Sequence, residues 1–219
     1  MIKNLMRAVS AAALAVLPLT TATPAHAVET LPLAQAVKAV PLAAESREGY
    51  QRTSFKHWNA GQIPSDGCNT RAEVLLSEAT QIPQILPGCK LSGGMWWSYY
   101  DAKWITSASA LDVDHMVPLA EAWDSGASQW TAERREAYAN DLGSERSLVA
   151  VSAASNRSKA DQDPAEWLPP ATEVTCRYLS EWTATKLRWG LTLDIAEQEA
   201  LTQLAEACPT TTVTYERAP

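Results

Sequence analysis

The sequence predicts an α+β protein in which helices surround short strands and disulfides tie the chain together. Apolar residues at helical spacing indicate separate helices, as in 69–80, and short runs rich in β-branched or aromatic residues indicate strands, as in 148–151. A third observation is the even number of cysteines, four, which is typical of disulfide-bonded proteins.

The N-terminal residues 1–27 have the pattern of a secretory signal peptide. Lys3 and Arg7 precede an apolar run, residues 8–17, that is too short to span a bilayer, and Ala25-His26-Ala27 is an A-x-A cleavage site. We therefore expect a secreted, extracellular protein with no membrane attachment after cleavage. Cleavage removes two basic residues and no acidic one, which changes the net charge from −7 to −9.

The composition of the remaining chain predicts one domain flanked by two less structured segments. Residues 28–45 are expected to be a leader or linker, either flexible or folded as a short packed helix. Residues 46–208 should form a single, monomeric domain with its catalytic core at about 110–170, and residues 209–219 a loose tail.

The local patterns predict the elements of this domain in order. They are helices at 46–58 and 69–80, a short β-hairpin within 90–105, a strand at 111–115, helices at 119–125 and 131–142, a strand at 148–151, a short helix capped by Ser155, and closing helices at 172–189 and 194–207.

The four cysteines predict two disulfides, because an exported protein meets an oxidising environment. Of the three pairings available, Cys68–Cys89 and Cys176–Cys208 are favoured because they close local loops. A four-thiolate zinc site is the weaker alternative, since no C-x-x-C pair is present.

Two short segments carry the residue types of a hydrolytic metal site. Alternation in Leu111–His115 places Asp112 and Asp114 on one face of a strand, and a histidine follows at once. Carboxylate and amide oxygens suit a hard divalent cation, and a lone imidazole beside them suits a general base that activates water. Together they indicate metal-assisted phosphodiester hydrolysis.

These segments resemble the motifs of a known enzyme family. Asp112-Val-Asp-His-Met-Val-Pro118 is similar to the first motif of HNH (ββα-metal) endonucleases, including the HNH domain of RNA-guided CRISPR nucleases. Asn156-Arg-Ser-Lys159-Ala-Asp161 resembles their second motif, Asn-Arg-x-Lys-x-Asp. The wider stretch 46–208 is similar to secreted actinobacterial HNH-family proteins, so the resemblance implies a ββα-metal core.

The resemblance also implies roles for individual residues. His115 would be the general base, and Asp114 and Asn156 the metal ligands. Lys159 and Arg71 would contact the phosphate. His57 is expected to be structural.

Four further positions are expected to lie around this site. Asp112 would lie outside the ligands, orient them or cap a turn. Asp161 would orient the site or cap a turn, and Asp163 would cap the turn before Pro164. Ser147 stands where many HNH sites have an asparagine that orients the base histidine.

The function implied is that of a secreted, metal-dependent endonuclease. Mg²⁺, or else Mn²⁺, would be the cofactor, and the substrate a nucleic acid, with DNA favoured over RNA. The acidic net charge argues against tight, sequence-independent binding, because phosphates are bound by cationic side chains. The alternative is an extracellular binding protein built on an inactive HNH scaffold.

Overall fold

The computed structural model describes residues 27–219. Within that range the strands β1–β8 are Glu29–Pro32, Gln84–Leu86, Lys90–Ser92, Trp96–Ser98, Lys103–Ile105, Leu111–His115, Leu148–Ser152 and Thr212–Tyr215. The helices α1–α7 are Leu33–Ala39, Thr70–Ser77, Leu119–Asp124, Ala132–Ala139, Ala153–Lys159, Thr175–Trp189 and Ile195–Ala205. The predicted signal peptide lies outside the described residues except for Ala27, and no helix in the described part is long and apolar enough to cross a membrane.

The architecture is α+β, as predicted, and its strands form four antiparallel pairs. These pairs are β1–β8, β2–β3, β4–β5 and β6–β7. Helix α6 lies at the centre of the main core, where Tyr178, Leu179 and Trp182 are fully buried, and α1, α7 and β8 pack against it. A second apolar cluster lies between α2 and the strands β4, β6 and β7, with Leu75, Trp96 and Val113 among its buried residues.

The two disulfides join the predicted partners. Cys68, just before α2, is bonded to Cys89, just before β3, with 5.0 Å between their Cα atoms. Cys176 in the first turn of α6 is bonded to Cys208, with 5.6 Å between their Cα atoms. Each bridge closes a local loop, which restricts the unfolded chain.

The predicted leader contains the short packed helix that was one of its two expected forms, α1, whereas the predicted loose tail is an ordered part of the fold, which corrects that prediction. Strand β1 pairs with β8 over Glu29–Pro32 and Thr212–Tyr215, so the two ends of the described chain form one ladder. Leu33 and Val37 of α1 and Val213 of β8 are buried in the main core. Apolar burial and backbone pairing between distant segments therefore stabilise regions whose local sequence reads as linker.

Two local predictions are also corrected. Residues 46–58 contain only a short 3-10 helix, Arg52–Ser54, because Gly49 adopts a left-handed conformation (φ 73°) that ends any helical run. Helix α5 is capped by Ser152 rather than Ser155, since the Ser152 hydroxyl accepts a hydrogen bond from the Ser155 N–H.

The short β-hairpin expected within 90–105 is β4–β5. Its cross-strand pair Trp97 and Trp104 is exposed, whereas Trp96 is buried and donates a hydrogen bond to the Leu75 carbonyl. A second, unpredicted hairpin, β2–β3, precedes it.

Candidate active site

The two sequence motifs meet where the β6–β7 pair joins helix α5. Asp114 pairs with Val149 and His115 with Leu148, and α5 begins directly after β7. Asp114, His115 and Asn156 line one concavity of about 460 Å³. Segments separated by some forty residues therefore form a single site, in the chain order strand, strand, helix.

His115 is buried and its ring is fixed from three sides. Its Nε2 lies 2.9 Å from the carbonyl oxygen of Ala139, the last residue of α4. The ring stacks on Trp58 on one side and on Tyr138 on the other, with ring centroids 5.4 and 6.3 Å away. Aromatic stacking and a backbone acceptor thus hold the imidazole in one orientation.

This environment keeps His115 neutral. Burial lowers the pKa of His115 to about 3, and the hydrogen bond to Ala139 opposes that shift only in part. Because a carbonyl only accepts hydrogen bonds, Nε2 carries the proton and Nδ1 keeps its lone pair. A neutral imidazole with one free, oriented nitrogen can act as a general base.

Ser147 does not orient His115, which corrects the prediction for that position. The Ser147 hydroxyl donates to Asp141 Oδ2 at 2.6 Å, and Asp141 also accepts hydrogen bonds from Arg188 and Trp189. The orienting acceptor is instead the Ala139 carbonyl. Sequence reasoning missed it because every residue carries a carbonyl, so no side-chain signal marks the position.

Asp114 is buried on the same strand. Its Oδ2 accepts hydrogen bonds from the Tyr100 hydroxyl, at 2.7 Å, and from Lys159 Nζ. Burial raises the pKa of Asp114, while the Lys159 ammonium and the Tyr100 hydroxyl oppose the shift. Within the described residues Oδ1 accepts no hydrogen bond, so Asp114 retains one oxygen to offer to a ligand.

Lys159 is a buried structural residue, and its predicted contact with the phosphate is corrected. Its ammonium is fully buried and donates to Asp114 Oδ2, to the His115 carbonyl at 3.0 Å and to the Met116 carbonyl at 2.8 Å. An ammonium has three donors, and all three are used. Lys159 therefore ties α5 to the end of β6 and has no free donor for a substrate.

Asn156 and Asp112 lie side by side at the mouth of the site. The Asn156 amide Nδ2 donates to Asp112 Oδ2 at 3.3 Å, and Arg157 Nε lies 3.5 Å from the same oxygen. This contact fixes which way the Asn156 amide points, and its Oδ1 accepts no hydrogen bond from the described chain. The amide oxygen of Asn156 is thus available to a ligand, and the hydrogen bond from Nδ2 to Asp112 sets its orientation.

Arg71 lies away from this concavity, contrary to the expectation. Its Nη2 donates to the carbonyls of Ala108, at 3.2 Å, and Leu111, at 2.9 Å, at the opposite end of β6 from His115. Those carbonyls fix the guanidinium at the start of the strand. Arg71 therefore anchors the strand instead of contacting a substrate at the site.

The predicted aspartates after α5 have different positions. Asp161 lines the concavity, and its exposed carboxylate is paired with Arg47 at 2.7 Å. Asp163 accepts hydrogen bonds from the N–H groups of Ala165 and Glu166, so it caps the turn as expected.

Two exposed arginines line the concavity. Arg157 follows Asn156 in the second motif, and Arg52 comes from the short 3-10 helix of the N-terminal segment. They supply positive charge at a site in an otherwise acidic protein. Arg157 falls within the second motif, whereas nothing in the sequence marks Arg52, which is far away in the chain.

The donor set suits a hard divalent cation. Asp114 Oδ1 and Asn156 Oδ1 are oxygens without hydrogen bonds from the described chain, and both residues line the same concavity. Mg²⁺ is commonly held by one or two protein oxygens and completes its shell with water and phosphate oxygens. His115 Nδ1 would attract a softer ion such as Zn²⁺.

Comparison with known proteins gives a family and a relative. Residues 89–204 match the family described as GmrSD restriction endonucleases, C-terminal domain. An uncharacterized secreted protein of Arthroderma benhamiae is 40% identical over 163 residues, which cover 74% of this chain and 77% of that protein. No solved structure matches.

Proposed function

The chain belongs to the GmrSD restriction endonuclease C-terminal domain family, and we propose that it is a nuclease that hydrolyses phosphodiester bonds in nucleic acid. One observation carries the proposal: a histidine held neutral and oriented shares a concavity with an aspartate and an asparagine that each keep a free oxygen. We further propose that β6, β7 and α5 form the ββα-metal core of an HNH endonuclease, with His115, Asp114 and Asn156 as its reactive residues.

The chain supplies a general base and positively charged side chains that line the concavity. His115 Nδ1 would take a proton from a water molecule, whose oxygen attacks the phosphorus while the bond to the leaving oxygen breaks. The Ala139 carbonyl stabilises the imidazolium that forms. Arg52 and Arg157 line the concavity and would contact the phosphate oxygens.

A divalent cation, Mg²⁺ or Mn²⁺, is the proposed cofactor. Held by Asp114 and Asn156, it would stabilise the charge that develops on the phosphate and the leaving oxygen. Lys159 already neutralises the other oxygen of Asp114, so the affinity of the free protein for the cation should be weak.

DNA is the proposed substrate in preference to RNA, because restriction endonucleases give the family its name. The positive groups at the site are few and the net charge is −7 for the full chain. Binding should therefore be confined to a short stretch of backbone and depend only moderately on salt.

The protein is secreted. Its fungal relative is named as a secreted protein, and two disulfides cross-link the fold. Disulfides of this kind persist in oxidising, extracellular surroundings.

An inactive scaffold with a binding role is the second candidate. The ion pair between Lys159 and Asp114 favours it, because one oxygen of a proposed metal ligand is already bound to an ammonium. A cleavage assay separates the two candidates.

The test is incubation of the mature protein with supercoiled plasmid and, separately, with structured RNA, in EDTA and then in excess Mg²⁺. We expect nicked and linear DNA only after Mg²⁺ is restored, with less cleavage of RNA. Intact DNA under all conditions, while the protein still retards it in a gel, would favour the inactive scaffold.

A further inference from the structure

A second group of acidic side chains lies outside the candidate active site. Glu45 follows α1 in the N-terminal segment, and Glu121 and Asp124 belong to α3, which begins four residues after His115. One carboxylate oxygen from each of the three lies within 4.8 Å of the others. The arrangement joins two segments that are distant in the sequence.

Two oxygens of this cluster are buried and accept no hydrogen bond from the described residues. The Asp124 side chain is only 5% exposed; its Oδ2 accepts a hydrogen bond from Arg47 at 2.6 Å, but its Oδ1 is buried and accepts none from residues 27–219. Glu45 Oε1 is also buried and accepts no hydrogen bond from residues 27–219. Leaving a buried charged oxygen without a partner is costly, so such oxygens point to a ligand.

The charges around the cluster do not balance. Glu121 is paired with the fully buried Lys186, which also contacts Glu197. Together with Glu45 and Asp124 this makes four carboxylates, and the cations in contact with them are Lys186 and the half-exposed Arg47. When every group is ionised, at least two negative charges have no cation, since Arg47 is also shared with Asp161. Burial raises the pKa of Glu45 to about 8 and that of Glu197 to about 7, so protons take up this excess when no metal is bound.

A proton shared between Glu45 and Glu121 is the alternative explanation of the cluster, but it leaves one buried oxygen unexplained. Burial, with Glu121 nearby, raises the pKa of Glu45 to about 8, and the two carboxyl groups lie within hydrogen-bonding reach of one another. One proton satisfies that pair. It leaves Asp124 Oδ1 buried without a partner, whereas a cation reaches all three carboxylates.

We propose that Glu45, Glu121 and Asp124 bind a divalent cation, and that the cation is Ca²⁺. The three acidic ligands offer only oxygens, one from each carboxylate, because Arg47 holds the second oxygen of Asp124 and Lys186 the second oxygen of Glu121. The flexible geometry of Ca²⁺ accepts such a set, completed by water, better than the compact octahedron of Mg²⁺ does. A secreted protein also meets far more Ca²⁺ than a cytosolic one. The expected dissociation constant is on the order of 10⁻⁴ M, as for extracellular modules.

The position of this site gives the cation a structural role. The segment after Glu45 carries Tyr50 and Arg52, which line the candidate active site. A cation shared by Glu45 and the two acids of α3 would hold the segment that carries Tyr50 and Arg52 against α3, the helix that follows the catalytic strand. The site shares no residue with the proposed Mg²⁺ ligands.

The test uses the mature chain carrying Asn156→Ala, which removes a proposed ligand of the other site and makes the result independent of cleavage. Calorimetric titration with CaCl₂ should show one Ca²⁺ per chain. At about 100 times the dissociation constant, Ca²⁺ should raise the melting temperature by roughly 5–10 °C relative to EDTA.

Further substitutions in this background locate the site. Asp124→Asn and Glu45→Gln should each weaken Ca²⁺ binding roughly tenfold or more. Asp161→Asn is the matched control, because it removes the other partner of Arg47 and keeps the three carboxylates, so Ca²⁺ binding should not change. Glu45 is partly exposed, so its variant tests the proposal even where Asp124→Asn fails to fold.

Two results would overturn the proposal. One is the absence of both binding heat and a melting shift with Ca²⁺ in the Asn156→Ala chain. The other is Ca²⁺ binding that survives unchanged in Glu45→Gln. A Glu45→Gln protein that melts higher than its parent in EDTA, combined with no response to Ca²⁺ in either, would identify the shared proton instead.

Discussion

Replacing Lys159 by methionine should remove a large part of the protein's free energy of unfolding. Methionine keeps the apolar stem but removes the ammonium, which leaves the Asp114 carboxylate and the carbonyls of His115 and Met116 without their donor. Removal of one partner from a buried ion pair typically costs about 3–5 kcal/mol, since the remaining charge is buried and uncompensated. Whole domains are stable by only about 5–15 kcal/mol.

Urea unfolding followed by tryptophan fluorescence measures this loss. For a slope of about 2 kcal/mol per molar urea, the midpoint should fall by roughly 2 M. Lys103→Met is the matched control, because Lys103 is paired with Asp101 on the surface, with 63% of its side chain exposed. That variant should lose at most about 1 kcal/mol.

A double variant identifies the cause. Adding Asp114→Asn to Lys159→Met removes the uncompensated charge, so the pair of changes should cost less than the sum of the two single changes. If Lys159→Met unfolds at the same urea concentration as the Lys103 control yet loses cleavage, the reasoning is refuted. Lys159 would then act on the substrate.

Three other outcomes follow from the site. The pKa of His115 in the folded protein, about 3, lies below its unfolded value of about 6.5, so the unfolded chain binds the proton first. The stability that His115 contributes, taken as the difference between the parent and a His115→Ala chain, should therefore fall by about 1.4 kcal/mol per unit as the pH drops from 6.5 towards 3. Asn156→Ala should leave the melting temperature nearly unchanged and raise the Mg²⁺ concentration that gives half-maximal cleavage; an unchanged requirement would remove Asn156 as a ligand. Zn²⁺ should inhibit cleavage in the presence of Mg²⁺, because it would bind His115 Nδ1, and activation by stoichiometric Zn²⁺ would contradict the oxygen-ligand site.

The sequence predicted the parts of the site that depend on local pattern. Alternation along β6 placed Asp112 and Asp114 on one face, and the two motifs brought His115 and Asn156 to one concavity. The disulfide pairing followed from loop length in the same way, with Cys176–Cys208 closing α6 against the end of α7.

What the sequence could not predict depends on packing between distant segments. Lys159 has the pattern of a surface phosphate ligand, but the aromatic residues Tyr100, Tyr178 and Trp182 surround its ammonium and bury it. Ala139 orients His115 through its backbone carbonyl, a group that every residue has, so the residue type does not mark this position. The order of the tail could not be predicted because its partner strand lies far earlier in the chain: Glu29 pairs with Tyr215, 186 residues later.

The central claim is that His115 is the base of a metal-dependent nuclease. The most direct measurement is the plasmid-nicking rate in Mg²⁺ for His115→Ala beside His57→Ala, whose ring lies 6.3 Å away and bonds to the Phe55 carbonyl. We predict that His115→Ala loses about 10²–10⁴-fold of the rate while keeping its fold by circular dichroism. His57→Ala should stay within a few-fold of the parent protein. Equal rates for the two variants, or a loss confined to His57→Ala, would contradict the claim.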